Sequence, residues 1–173
     1  MPEVISSNEL SAVEAAPSTP LITKAGGLGD TKEAIEKVRG SNENEEDSTF
    51  SSYQNNSLLA TYVLDEKTKL NAAYNIMLQF EATEKPRRSA KEALDEASLV
   101  IPTDAVKVKE YAADENRDVV QYESKLIAER MKGFYEEDTD LGLEVPKPGT
   151  FIVILKHDDQ GVFSVVIGIG DNP

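Results

Sequence analysis

The chain has 173 residues, 32 acidic and 18 basic side chains, a formal net charge of −14, one histidine, and no cysteine or tryptophan. That length suits one domain with a real core and a tail. The acidic balance repels phosphate backbones, so nucleic acid is not an expected partner, and the lack of cysteine removes disulfides, thiolate catalysis and Cys-ligated metal centres.

The single histidine, His157, excludes a multi-histidine zinc site and any triad needing a second one. No stretch reaches the about 20 apolar residues of a membrane-crossing helix, so no transmembrane segment is expected. The richest stretch, Gly149 to Gly170, is broken by KHDDQG and reads as two strands.

Residues 1–24 hold Pro2, Pro17 and Pro20 and show no sustained period, so they read as a disordered leader or tether, with Leu21 and Ile22 the residues that could touch the domain. Residues 25–173 form the expected single domain. MPEVISSNEL has neither the basic nor the apolar region of an export signal. Taken literally, that start is cytoplasmic. The Ser/Ala/Pro/Glu-rich run after it also looks like the tether behind a removed signal, which would place the protein outside the cytoplasm or on the cell surface, with Met1 not the native start.

Asp30 to Arg39 is the first expected helix, with Asp30 as cap and Glu33 completing a capping box. Ala34, Ile35 and Val38 share one face, and Gly40 sits at the left-handed stop position. Ser41 to Ser57 is polar and acidic and reads as a long loop. Leu58–Asp65 and Leu70–Ala82 read as a hairpin; Tyr74, Ile76, Leu78 and Phe80 point one way, and Asn75, Met77, Gln79 and Glu81 the other.

Ser89 caps a second helix with Glu92 as its box partner, and Ala90, Ala93, Leu94 and Ala97 line its face. DAVKVKEYAA reads as a strand with Val106 and Val108 inward. Val119 to Phe134 is ambiguous and reads best as a strand running into a short helix. YEEDTDLGLEVPKPG reads as a second acidic loop. TFIVILKHD and VFSVVIGIG form a hairpin about Gly161, with the β-branched density of a central pair. The expected fold is α+β: a mostly antiparallel sheet of about five to six strands, with two or three helices packed on one face.

AGGLGD first suggests a phosphate loop. A Walker loop needs a Lys-Ser/Thr pair where Gly29 is followed by DTK, and a dinucleotide loop needs a glycine where Lys32 stands. An Asp30 carboxylate at the helix start would also occupy the N–H groups that a phosphate uses. No cofactor is expected. Asp138, Asp140 and Glu144 alternate like part of a calcium loop, although the full pattern is missing and a solvated loop explains them as well. No catalytic constellation stands out. His157 beside Asp158 and Asp159 reads as a surface residue at a turn, Arg87 and Arg88 as a solvated basic pair, and no serine lies in a nucleophile elbow. Tyrosines on an open antiparallel face would suit protein binding, partial core burial being the plainer reading.

Gly29, Thr31, Glu33 and Gly40, followed by Tyr62 and Phe80, give a pattern that resembles small extracytoplasmic lipoprotein domains of bacteria, of the β-lactamase-inhibitor-like and outer-membrane-assembly types. The resemblance spans about residues 27–82. It implies a helix-plus-sheet module that binds another protein through its sheet. The Ser41–Ser57 loop is longer than the usual link, and the lipid-bearing cysteine of such families is absent. The expectation is therefore a non-enzymatic extracytoplasmic binding module with a protein partner and a membrane tether through a removed N-terminal signal. Its binding residues are not assigned. The alternative is a small cytoplasmic or secreted hydrolase using carboxylates or His157.

Overall fold

Alternating β-branched and aromatic residues favour a pleated, half-buried surface, and seven segments of this chain adopt one. The computed structural model describes residues 19–140 and 146–173, with backbone alone for 137–140. The strands are β1 (Ser51–Tyr53), β2 (Leu58–Leu64), β3 (Asn71–Gln79), β4 (Val106–Asp114), β5 (Arg117–Glu123), β6 (Thr150–Asp158) and β7 (Gly161–Ile169). They form one antiparallel sheet in the order β1-β2-β3-β7-β6-β5-β4. Four short helices are described: α1 (Lys32–Arg39), α2 (Ala90–Ala97), α3 (Lys125–Arg130) and α4 (Lys132–Asp140).

This is a mixed α and β protein, with a larger sheet than the five to six strands expected. The added strand is β1, concealed in the polar run 41–57. Its three residues pair with Leu58 to Ala60 and are all buried, which side-chain polarity alone does not announce. The β6–β7 hairpin takes the central place its composition suggested, and β5 does run into a short helix. The second acidic loop is corrected: its first half belongs to α4.

One core cluster joins the sheet to the helices. Ile35 of α1, Ala93 and Ala97 of α2, Ile127 of α3 and Tyr135 of α4 pack with Ile76, Val153 and Val165. In α1 the buried residues are Ala34 and Ile35. Val38 is 53% exposed, against its expected place on that face. The small alanines of α2 let its axis approach the sheet, as expected.

β4 is an edge strand. Val106 is 65% exposed, and Val108 is exposed as well, so neither points into a core. Lys107 and Lys109 on this strand blunt the free edge against pairing with other chains.

Ile22 and Thr23 are buried, and Thr103 N–H donates to Ile22 O (2.8 Å). The packed chain therefore begins before the expected boundary at residue 25.

Candidate functional site

The glycine stretch AGGLGD carries the nucleotide-like motif of the chain. Helix α1 is capped by Thr31, whose hydroxyl accepts from Ala34 N–H (3.1 Å). The expected Asp30–Glu33 capping box is thereby corrected. Asp30 turns the other way and is fully buried. Its carboxylate accepts from Ile22 N–H (2.7 Å), the Thr23 hydroxyl and Gly27 N–H (2.9 Å). Burial is the largest influence on its pKa and raises it, against those hydrogen bonds and Arg130.

The other loop amides are also consumed. Leu28 N–H donates to Val100 O (2.9 Å), and Gly29 N–H donates to Ala73 O (2.8 Å). A Cβ on Gly27 would stand 2.3 Å from Val100 O, so glycine is needed for that close approach. The loop has no free N–H cradle for a phosphate. It is an internal fastening, and Arg130 tightens it through Gly29 O (2.9 Å) and Pro20 O (3.0 Å).

Arg87 and Arg88 are corrected from a solvated pair to structural pins. Arg87 grips Asp158 with Nε and Nη2, the latter at 2.8 Å, and this contact holds the Asp158 carboxyl below its usual range. Arg88 lies 4.4 Å over the Phe80 ring and pairs with Glu96 at 3.2 Å. His157 is not a free surface residue either. Its Nε2 is buried without a hydrogen bond and lies 3.1 Å from Asp118 Oδ2.

The calcium candidates Asp138, Asp140 and Glu144 fall where side chains lie outside the described residues. Among the described residues, no three His, Asp or Glu side chains converge as a metal set.

The remaining surface of interest is the second sheet face. The register aligns one residue from each of six strands: Leu59 with Met77, Met77 with Val166, Val166 with Ile154, Ile154 with Val119, and Val119 with Tyr111. The centre of this row is tightly packed, as Val119, Ile152 and Ile154 form their own cluster with Ala113 and Val166. No residue of the described helices belongs to that cluster. Towards one end the face opens into a depression of about 420 Å³, lined by Met77, Gln79, Glu81, Lys156, Phe163 and Ser164.

Its electrostatics are simple. Glu81 is paired with Arg87 at 3.4 Å, whereas Lys156 has no carboxylate partner among the described residues. Met77 and Phe163 supply apolar lining, and Gln79 and Ser164 supply hydrogen-bonding groups. Of the tyrosines, Tyr111 is the one that reaches this row, at 37% exposure; Tyr53 and Tyr135 are buried on the helix side. Sequence alternation identified Met77, Gln79 and Glu81 as facing away from the core. It gave no face to Lys156, Phe163 or Ser164, because the β-branched runs of β6 and β7 read only as a central pair; the register sets Lys156 opposite Ser164, and Ser164 opposite Gln79.

Fold and site together define a mixed α and β protein, built on one seven-stranded antiparallel sheet with a depression on its second face. The chain matches no family model, no curated protein and no solved structure.

Proposed function

We propose that the protein is a non-enzymatic interaction module whose second sheet face, clear of the described α-helices, receives a segment of another protein. The observation that carries this reading is the 420 Å³ depression on that face. It offers apolar surface beside Lys156, a cation without a carboxylate partner among the described residues, so the complementary segment presents an apolar side chain next to a carboxylate. Burial of the apolar group would supply affinity, and Lys156 would supply orientation and a faster encounter.

A photo-crosslinking residue at Ser164 tests it, with the same residue at Lys91 on exposed α2 as control. In native cells the Ser164 position is expected to give one discrete adduct, with an acidic, apolar peptide at the cross-link. Lys156→Glu is expected to reduce that adduct. No adduct, or equal adducts from both positions, would overturn the reading.

The proposal extends to an extracytoplasmic setting, supported by the tether-like composition of residues 1–24 and the resemblance over residues 27–82. The genomic frame upstream of Met1 tests this part: an export signal is expected there, and a native start at Met1 ends it. The hydrolase alternative needs carboxylates or His157 at a cleft, and His157 faces Asp118 at 3.1 Å. Neither residue lines the depression described above, so the binding reading is preferred.

A further inference from the structure

A second cavity lies on the helix side of the sheet, opposite the proposed docking face; its walls Leu78 and Phe80 alternate along the chain with Met77, Gln79 and Glu81 of the depression. It measures about 180 Å³. Leu78, Phe80 and Val100 are among its apolar walls, and Arg39, Gln54, Arg88 and Glu96 are among its polar ones. The two arginines differ. Each nitrogen of Arg88 is committed, to Lys85 O, Glu96 and the Thr83 hydroxyl. Arg39 donates from Nε to Gly26 O (3.0 Å) and from Nη1 to Gln54 Oε1 (2.6 Å). Its Nη2 has no hydrogen-bond partner among the described residues, and no carboxylate there lies within ion-pairing distance of the group.

Arg39 is part-buried, and its Nη1–Gln54 bond lies at the exposed mouth of the cavity, so the remaining donor is accessible to a ligand. Burial already lowers the Arg39 pKa, against the influence of Tyr62, Asp30 and Glu96. The backbone beside it is strained. Gln54, Asn55 and Asn56 hold φ values of 54°, 59° and 65°, three consecutive left-handed residues without a glycine. Such conformations persist where surrounding structure fixes them, and they gather at ligand sites. The side-chain Oε1 of Gln54, the first of the three, accepts from Arg39 Nη1.

We propose that this cavity binds a small organic monocarboxylate, with Arg39 as its anion-binding residue. The acid group would take the free Nη2 donor, and its short apolar body would lie against Leu78, Phe80 and Val100. Size limits the ligand: a cavity of about 150 Å³ holds one benzene molecule, so an acid of roughly that bulk fits. Glu96 is engaged by Arg88, and Asp30 and Glu96 act on Arg39 only from beyond ion-pairing distance. The inference is independent of the docking face.

The test is a heteronuclear NMR titration of the full chain with isovalerate, which matches the cavity in bulk and character. Saturable shifts are expected at the Arg39 Nε–H, the Gln54 side-chain amide and the Leu99 and Val100 amides. Isovaleramide, the same shape without the charge, is expected to leave these signals in place. Arg39→Met is expected to weaken isovalerate binding by tenfold or more. The paired wild-type titrations keep the proposal testable even if that variant fails to fold. No saturable response to isovalerate would overturn the proposal. So would an equal response to isovaleramide, or equal binding of inorganic phosphate at the same residues.

Discussion

Gly133 N–H donates a 2.8 Å hydrogen bond to Asp65 Oδ2, joining residues 68 positions apart. Phe134 N–H donates to the same oxygen at 3.3 Å. The other oxygen accepts from Lys67 and Thr68 N–H at 2.8 and 3.0 Å. One buried carboxylate thus closes the β2–β3 turn and caps the start of α4. Asp104 repeats the device at α3, accepting from Lys125 N–H (2.9 Å) and Leu126 N–H (3.1 Å). Two of the four helices therefore start on a carboxylate from another part of the chain.

Gly133 is required for the first of these fastenings, since a Cβ there would stand 2.3 Å from Asp65 Oδ1. Gly133→Ala is expected to destabilise the protein by about 1–3 kcal/mol through overpacking. Asp65→Ala is expected to cost about 2–3 kcal/mol by stranding buried donors. Urea unfolding followed by circular dichroism measures both. A change in either variant within the scatter of surface substitutions would contradict the fastening role.

Asp30 gives a pH signature of unusual sign for an aspartate. Burial raises its folded pKa above the ordinary 3.8. Between those two values the folded chain holds a proton that the unfolded chain has released. The stability contributed by this group therefore falls as pH rises through that window. Asp30→Asn removes the titration, so its cost is expected to be larger near pH 3.8 than at neutrality. Urea midpoints of both proteins at acid and neutral pH give the comparison; a smaller cost in acid contradicts it.

The Tyr53 hydroxyl donates to Glu36 Oε2 at 2.8 Å and lies 2.9 Å from the Tyr62 hydroxyl. Burial pushes the Tyr53 pKa up to about 12 and raises that of Tyr62 as well. Both phenols stay neutral in the fold where an unfolded chain would ionise, so stability is lost as pH rises above 10.0. Tyr53→Phe is expected to flatten that alkaline loss and to cost about 1 kcal/mol at neutral pH. Denaturation curves across the alkaline range measure the slope, and an unchanged slope contradicts the assignment.

Two neighbouring apolar residues of α1 should behave oppositely. Ile35 is fully buried, while Val38 is more than half exposed. Ile35→Ala is expected to cost about 2–5 kcal/mol through its cavity. Val38→Ala should stay within about 0.5 kcal/mol, as exposed positions do. Thermal unfolding of the two variants separates them. Comparable losses would place Val38 in the core, as its helical spacing suggested.

The readable parts of the chain were those governed by neighbours in sequence. The Ser89–Glu92 capping box forms as its spacing requires. Ile76 and Leu78 are buried as the alternation of β3 implies, and so is Phe80, although the strand expected to reach Ala82 ends at Gln79 and Phe80 opens a 3-10 turn. The unreadable parts depend on partners far along the chain. β1 gave no signal because its buried Ser51 and Ser52 look like loop residues. Val106 and Val108 looked like core residues, but β4 lies at the sheet edge and their exposure follows from that position. The docking depression was half legible, through Met77, Gln79 and Glu81. The Arg39 cavity was not legible, since it assembles from α1, α2, both ends of the β2–β3 hairpin and the turn after β1.

By itself the sequence determined the class of fold, most strand and helix positions and the central place of the β6–β7 hairpin. These follow from periodicity, turn chemistry and local caps, which act over a few residues. Only the tertiary structure decided what the polar residues do. Asp30 and Asp65 look alike as acidic residues near turns, yet each is buried and satisfied by backbone donors that folding brings to it. A buried charge is stable only with partners in place, and those partners belong to segments whose meeting depends on topology.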